Sequence, residues 1–178
     1  MASAPTLHRL SPELYDKIVD AGLLDGEPVE LVDGLLRHVS PQGPRHAALV
    51  QWLTARFSVR ADLLRVQLPL AAPSGRPEPD VALVGTTTSR EHPQSAALAI
   101  EVAVTSFEED LTKLADYAEA GVPVVWLINV PARQVHVFEE PAGRRYGTER
   151  LLTDGQLPVP ADGIGPVEVS ELFAVLDR

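Results

Sequence analysis

The sequence predicts an α/β protein with a mixed β-sheet flanked by helices, organised around a strand, a helix and a strand in 97–130. The runs 97–104 and 122–130 are apolar almost throughout, as expected of strands that are covered on both faces. Ser106 and Glu109 have the spacing of a capping box at the start of the helix between them. Elements in this order form a βαβ crossover, which joins neighbouring parallel strands.

Two charged side chains stand out in this unit. Glu101 interrupts the first apolar strand, and a lone carboxylate costs several kcal/mol to bury. It is therefore expected near the open end of its strand or beside a cation. Lys113 lies in the helix beside the apolar stripe, in a chain with thirteen arginines and only two lysines. A lysine here indicates a need for a compact ammonium; the alternative is an ordinary solvated lysine.

The composition limits the class of protein. A chain of 178 residues suits one domain, 1–178, with a sizeable core, and no run approaches the roughly 18 apolar residues of a membrane span. The start of the chain lacks the basic and apolar regions of a signal peptide. The absence of cysteine excludes disulfides, thiolate zinc sites and a cysteine nucleophile. A cytoplasmic protein that does not enter a membrane is the simplest expectation.

Charge is distributed unevenly along the chain. The formal net charge of −10 argues against nonspecific binding to nucleic acid, which requires neutralisation of phosphates. Between Gly34 and Pro77, however, Asp62 is the only acidic residue among six arginines. These arginines either form one basic surface that contacts phosphate or scatter around the fold. They are Arg37, Arg45, Arg56, Arg60, Arg65 and Arg76.

A helix and a hairpin are predicted at the start of the chain. The helix begins at Ser11, because this cap residue precedes Pro12 at the first helical position. Asp33-Gly34 between two apolar-rich runs is a strong signal for a two-residue hairpin. Glu30 lies in the first strand of this hairpin, either as an exposed strand residue or as a functional group.

A second helix and two strands follow before the central unit. After a loop at 40–44, the helix begins near Arg45, and His46 lies close to its start. A histidine in such a place is more often structural than catalytic. The alternating run 64–70 predicts a strand, and a Pro/Gly-rich loop leads into a short strand at 80–84.

The end of the chain is predicted to be mostly antiparallel. The runs 133–141 and 149–156 predict antiparallel strands, with turns at Ala142-Gly143 and Asp154-Gly155. The last segment, 164–178, predicts a short strand and a helix. Helices and strands of both orientations therefore give a mixed sheet.

Asp80, Glu101 and Lys113 form a chemically suggestive set. Two carboxylates on adjacent strands suit Mg²⁺, which takes one or two carboxylates and keeps several waters. Such a metal lowers the pKa of a bound water and clamps a phosphoryl oxygen. A nearby ammonium can orient that water and offset developing negative charge. The set therefore indicates phosphodiester hydrolysis.

Pro79-Asp80, Glu101 and a following lysine resemble the motif of the PD-(D/E)xK nuclease superfamily. Over nearly its whole length the chain is similar to the Uma2 family of restriction-endonuclease-like proteins, also called DUF820. Each motif is weak alone, and their order and spacing make the resemblance specific. The matching features are Glu30-Leu-Val-Asp-Gly34, the loop with His46, 79–84, Glu101-Val-Ala, Asp110, Lys113, Tyr117, Ala118, Gly121-Val-Pro and Trp126.

The resemblance implies a restriction-endonuclease-like core and a metal-dependent endonuclease that acts on DNA. It implies Mg²⁺ or Mn²⁺ held at Asp80, Glu101 and Val102, with a lysine as the third catalytic group. Lesser roles follow for Glu30 as an added acidic ligand and for His46 at the edge of the site. A homodimer is also expected, because two copies of the chain would bring two active sites to two DNA strands.

The chain departs from the superfamily pattern at Ala103. The usual lysine stands two residues after the glutamate and shares its strand face, so Lys113 would have to reach the site from the helix. We expect its replacement by alanine to abolish cleavage and to leave the fold intact, on the assumption of a partly exposed helical position. The family acid in this helix matches either Glu109 or Asp110.

Two functions of different classes compete, and a third is weaker. The leading interpretation is a Mg²⁺-dependent endonuclease, and the other is a catalytically idle nuclease fold that serves as a binding or regulatory module. The acidic net charge favours the idle module, and the set of Asp80, Glu101 and Lys113 favours the enzyme. A sugar-processing enzyme with paired carboxylates is less favoured, because only 5% of residues are aromatic and available to stack on sugars.

Overall fold

The computed structural model describes residues 7–39, 42–85 and 90–177, and a mixed six-stranded sheet forms its centre. The strands are β1 Val29–Val32, β2 Leu35–His38, β3 Leu64–Val66, β4 Val81–Leu83, β5 Leu98–Ala103, β6 Val124–Asn129, β7 Gln134–Ala142, β8 Arg145–Leu152, β9 Gln156–Leu157 and β10 Val167–Glu168. The helices are α1 Pro12–Asp20, α2 Pro44–Phe57, α3 Phe107–Leu111, α4 Leu114–Glu119 and α5 Val169–Ala174. The central order is β3-β4-β5-β6-β7-β8, in which only β5 and β6 are parallel neighbours.

The predicted βαβ crossover is confirmed, with one correction to its helix. All six residues of β5 are buried, and this strand runs parallel to β6. The connection is two short helices, α3 and α4, which are interrupted at Thr112 and Lys113. The predicted capping box is wrong. Ser106 has φ −100° and ψ 13° rather than the extended conformation of a cap residue, and its hydroxyl donates to Asp110 Oδ2 at 2.6 Å.

Helices cover both faces of the central sheet. Successive side chains of β5 point to opposite faces. Ile100 belongs to the core under α2, whereas Ala99 and Ala103 belong to the core that contains Tyr117 of α4. Glu101 therefore projects to the same side as α3 and α4. The predicted class, an α/β fold with a mixed sheet flanked by helices, is confirmed.

The hairpin of β1 and β2 forms a two-stranded sheet of its own. Asp33 and Gly34 at its turn have φ angles of 49° and 73°, the left-handed conformation that a type I′ turn requires. Aspartate and glycine tolerate this conformation better than most residues. The hairpin that this dipeptide predicts is confirmed.

An ion network holds the hairpin turn against the rest of the molecule. The Asp33 backbone N–H donates to Asp116 Oδ2 at 2.8 Å, and the Asp116 side chain is fully buried. Arg144 donates to Asp33 Oδ1 at 2.5 Å and to Glu119 Oε2 at 2.7 Å. Arg9 donates to Asp33 Oδ2 at 2.6 Å. Burial raises the pKa of Asp116, although the Asp33 N–H and Arg144 oppose this shift.

The last part of the chain is antiparallel as predicted, but the strand predicted at 149–156 begins earlier, at Arg145, and ends at Leu152. β7 and β8 form a hairpin, and β9 pairs with β10 before α5. The strand predicted at 64–70 is shorter, because only β3 pairs with β4. Part of the loop predicted at 40–44 lies outside the described residues. Within the described residues, no helix is both long enough and apolar enough to cross a membrane.

Candidate active site

Asp80 and Glu101 lie across from each other in the central sheet, Asp80 directly before β4 and Glu101 within β5. The antiparallel register pairs Val81 with Ile100, so the next position places Asp80 opposite Glu101 on the same face of the sheet. Both line one cavity of about 760 Å³. The structure therefore brings together the two carboxylates that the sequence analysis selected.

The Asp80 carboxylate is held by two partners. His46 Nε2 lies 2.9 Å from Asp80 Oδ1, and the Val102 backbone N–H donates to Asp80 Oδ2 at 2.8 Å. His46 is buried in the first turn of α2, so this helix delivers the imidazole to the edge of the sheet. These two contacts orient the Asp80 carboxylate, and Asp80 as a whole is 8% exposed to solvent.

Glu101 is more deeply buried than Asp80. Only 2% of the residue is exposed, and the Tyr117 hydroxyl donates a hydrogen bond to Oε1. Burial raises the pKa of Glu101 well above its usual value, and the nearby Lys113 ammonium opposes this shift. Burial also raises the pKa of Tyr117, so its hydroxyl stays protonated and continues to donate.

Lys113 reaches Glu101 of the central sheet and Glu30 of the small sheet from the break between α3 and α4. Its Nζ atom lies 2.9 Å from Glu30 Oε1, 3.4 Å from Glu101 Oε1 and 4.0 Å from Asp110 Oδ1. It also donates to the Glu78 carbonyl at 3.4 Å. Burial lowers the pKa of Lys113, but the surrounding carboxylates outweigh burial and raise it. The expectation of a partly exposed lysine is wrong, because only 8% of the residue is accessible.

Glu30 enters the same group from the small sheet. Its Oε1 accepts from Lys113, and its Oε2 accepts the Glu78 backbone N–H at 2.9 Å. Only 5% of the residue is exposed. Of the two interpretations left open by the sequence, the exposed strand residue is therefore wrong, and Glu30 lies in the candidate site.

Asp110 is a further acid at this site. It lies on the same side of the helical segment as Lys113, and Ser106 donates to it. Burial raises the pKa of Asp110 from 3.8 to about 6, while Lys113 and the Ser106 hydroxyl oppose the shift. The folded state therefore binds the Asp110 proton more tightly than the unfolded state does.

This difference predicts a pH-dependent effect of Asp110→Asn. The stabilisation from protonated Asp110 is present at low pH and is lost as the pH rises through about 6. Between pH 4.5 and 7.5 the wild type should lose about 2 kcal/mol of unfolding free energy relative to Asp110→Asn. Urea unfolding at both pH values measures this difference. Glu109→Gln, an exposed neighbour, is the control, and an equal pH dependence of wild type and Asp110→Asn would contradict the assignment.

The sequence comparison decides the family. A family model described as "Uma2: Putative restriction endonuclease" matches residues 13–170. The chain belongs to the Uma2 family. No curated protein matches the Uma2 chain.

A solved structure supports the fold of this Uma2 protein. It is described as a putative nuclease belonging to DUF820 from Anabaena variabilis, and it superposes with a TM-score of 0.75 at 17% sequence identity. The match covers 94% of this chain and 99% of that chain. At this identity the likeness concerns the fold, and it agrees with the predicted architecture.

The donor chemistry of the Uma2 site fits a hard cation better than zinc. In the described parts of the chain, no three His, Asp or Glu side chains are grouped so that they could hold a metal ion by themselves. Asp80 and Glu101 supply carboxylate oxygens, and Mg²⁺ is bound through as few as one or two carboxylates plus water. Val102, whose side chain packs in the core, can contribute only through its backbone.

Three groups at the site received no role from the sequence, although Asp110 and Tyr117 are among the residues that match the family. Asp110 and Tyr117 stand three residues before and four residues after Lys113, the spacing of neighbours on one helix face. That spacing was an available signal. The Glu78 backbone had none, because it joins Glu30 to Lys113 only through folding of distant segments.

The arginines of the segment 34–77 do not form a single basic surface. Arg37 lines the cavity of the candidate site. Arg76 forms a bidentate pair with Asp16, at 2.9 and 2.7 Å. Arg56 and Arg60 donate to backbone carbonyls in the segment 162–166. The scattered arrangement is therefore the one that the structure adopts.

Proposed function

We propose that this Uma2 protein is a metal-dependent endonuclease that hydrolyses phosphodiester bonds in DNA. The observation that carries the proposal is the buried contact between Lys113 and Glu101 in the cavity that Asp80 also lines. A cation beside paired carboxylates can stabilise the negative charge that develops on a phosphoryl group. Membership of the family described as "Putative restriction endonuclease" supports a nucleic acid as the substrate.

Asp80 and Glu101 would hold Mg²⁺ or Mn²⁺, which supplies a water of lowered pKa and polarises a phosphoryl oxygen. The chain's own residues prepare this arrangement. His46 and the Val102 N–H orient Asp80, and the Tyr117 hydroxyl orients Glu101. These supporting hydrogen bonds fix the carboxylates before a ligand arrives.

Lys113 is proposed to orient the attacking water and to offset the negative charge that develops on the phosphoryl oxygens. Glu30 holds the ammonium in place from the opposite side, at 2.9 Å. Because several carboxylates raise the pKa of Lys113, the ammonium keeps its proton and acts as a fixed positive charge. Glu30 is thus a positioning residue in this scheme.

The metal-dependent step is tested with Asp80→Asn and Glu101→Gln. Each variant should lose more than about a hundredfold in Mg²⁺-dependent cleavage, because even outer residues of metal sites change affinity or activity by 10–100-fold. Cleavage of labelled DNA and Mn²⁺ binding by calorimetry provide the two measurements. Glu109→Gln is the matched control, since this exposed carboxylate lines the same cavity without contacting either residue. Wild-type metal binding and cleavage in both variants would refute the assignment.

A catalytically idle module is the second candidate. It is favoured by the hydrogen bonds that already engage Asp80 and Glu101, and by the net charge of −10. Divalent-metal binding separates the two functions, because an idle module does not require a metal site. We retain a homodimer as part of the enzyme proposal, since two copies would address two strands, and the oligomeric state in solution tests it.

A further inference from the structure

The candidate cavity is strongly acidic, which presents a problem for binding a polyanion. Besides His38 and His46, two basic side chains line it, Arg37 and Lys113. Lys113 is buried in the interior of the cavity among carboxylates and a backbone carbonyl, so it is not placed to contact a backbone phosphate at the mouth. The acidic residues that line the cavity are Glu30, Glu78, Asp80, Glu101, Glu109 and Asp110.

Arg37 is placed on the side of this cavity nearer to solvent. The β1–β2 register pairs Arg37 directly with Glu30, and directly opposed residues of an antiparallel pair lie on the same face. Glu30 in turn contacts Lys113 at 2.9 Å. Arg37 is half-buried, so its guanidinium lies at the boundary between the acidic interior and water.

The guanidinium of Arg37 retains most of its hydrogen-bonding capacity. It donates to the Glu109 carbonyl oxygen over a long 3.4 Å, and no carboxylate in 7–39, 42–85 or 90–177 forms an ion pair with it. A guanidinium has five N–H donors. By contrast, Arg76 donates four hydrogen bonds, to the Asp16 carboxylate and to the carbonyls of Ala72 and Gly75.

The geometry points to Arg37 as the residue that binds a backbone phosphate of the DNA strand at the cavity mouth. Its planar fork matches two phosphate oxygens, which a point charge cannot do. One such contact also offsets the negative charge of the acidic lining at the point where the DNA strand enters the cavity. The inference rests on the proposed function for its ligand, and it concerns binding rather than cleavage.

The test measures binding of a fluorescent single-stranded DNA oligonucleotide in EDTA, by anisotropy over a range of salt concentrations. Arg37→Ala should weaken binding by about tenfold, the loss of a hydrogen-bonded charge pair. It should also reduce the slope of log affinity against log salt by about 0.7, the value for one phosphate contact to a single strand. Arg37→Gln should give the same change in slope, and its thermal unfolding midpoint verifies the fold.

Arg45→Ala is the matched control. Arg45 is exposed in the same arginine-rich segment but does not line the cavity, so its removal should leave the slope unchanged. An unchanged slope in both Arg37 variants, an equal loss in Arg45→Ala, or no DNA binding by the wild type would each overturn the inference. Cleavage with Mg²⁺ is scored separately. Wild-type cleavage with an unchanged Arg37 slope rejects the inference alone, and Arg37-dependent binding without cleavage rejects the proposed catalysis alone.

Discussion

Replacement of Lys113 by alanine should abolish DNA cleavage, as the sequence predicts. It should also destabilise the fold, whereas the sequence predicts an intact fold. Removing one partner of a buried charge group typically costs about 3–5 kcal/mol, because the remaining charges are left uncompensated. In this case Glu30, Glu101 and Asp110 would lose their common cation. Loss of an electrostatic group at the reacting centre lowers kcat by about a hundredfold or more.

Urea unfolding and single-turnover cleavage measure the two effects of Lys113→Ala. Lys17→Ala is the control, because the chain's other lysine is exposed near the end of α1 and should change stability by no more than about 0.5 kcal/mol. Lys113→Arg retains the charge and separates the effects. We expect it to fold better than the alanine variant and still fail to cut, since a planar fork does not replace a point charge beside a small metal. Wild-type cleavage by Lys113→Ala would remove the proposed role.

Outside the cavity, Gly75→Ala should be the most destabilising of the substitutions that add a single methyl group. A Cβ atom at Gly75 would lie 2.3 Å from Asp116 Oδ2 and 2.8 Å from the Leu31 carbonyl oxygen. Neither neighbour can move freely. Asp116 is fully buried and accepts the Asp33 N–H, and the Leu31 carbonyl accepts the Arg76 N–H at 2.7 Å.

The expected cost of Gly75→Ala is about 3 kcal/mol or more, at the upper end of overpacking effects. Cleavage should fall as well, because Leu31 is next to Glu30 on β1 and a shift of the strand moves the group that holds Lys113. Chemical unfolding and cleavage assays measure both outcomes. Gly85→Ala, where an added Cβ meets nothing within 4 Å, should behave like the wild type. Equal stability of Gly75→Ala and Gly85→Ala would contradict the predicted clash.

The fold was predictable where local chemistry determines the backbone. The hairpin at Asp33-Gly34 follows from two residues that accept left-handed conformations, and β5 follows from a run that is apolar except for Glu101. The break at Thr112 and Lys113 was not predictable in this way, because apolar periodicity continues across it. A periodic pattern indicates which face is buried and does not show where a helix is interrupted.

The candidate site was predictable in its central residues and not in its surroundings. A carboxylate in an apolar strand implies a polar or cationic partner, and the structure places Lys113 beside Glu101. The burial of Lys113 depends on its contact with Glu30 of the hairpin, and Glu30 is distant from Lys113 in the sequence. The Arg76 pair with Asp16 spans 60 positions, so the fate of that arginine also required the folded chain.

The residues of the candidate site are divided between two separate sheets. Asp80 directly precedes β4 and Glu101 lies in β5 of the six-stranded sheet, whereas Glu30 and Arg37 belong to the two-stranded hairpin. A displacement of the hairpin relative to the six-stranded sheet would therefore move the proposed phosphate contact and the carboxylate that holds Lys113, and it would leave the two proposed metal ligands in place.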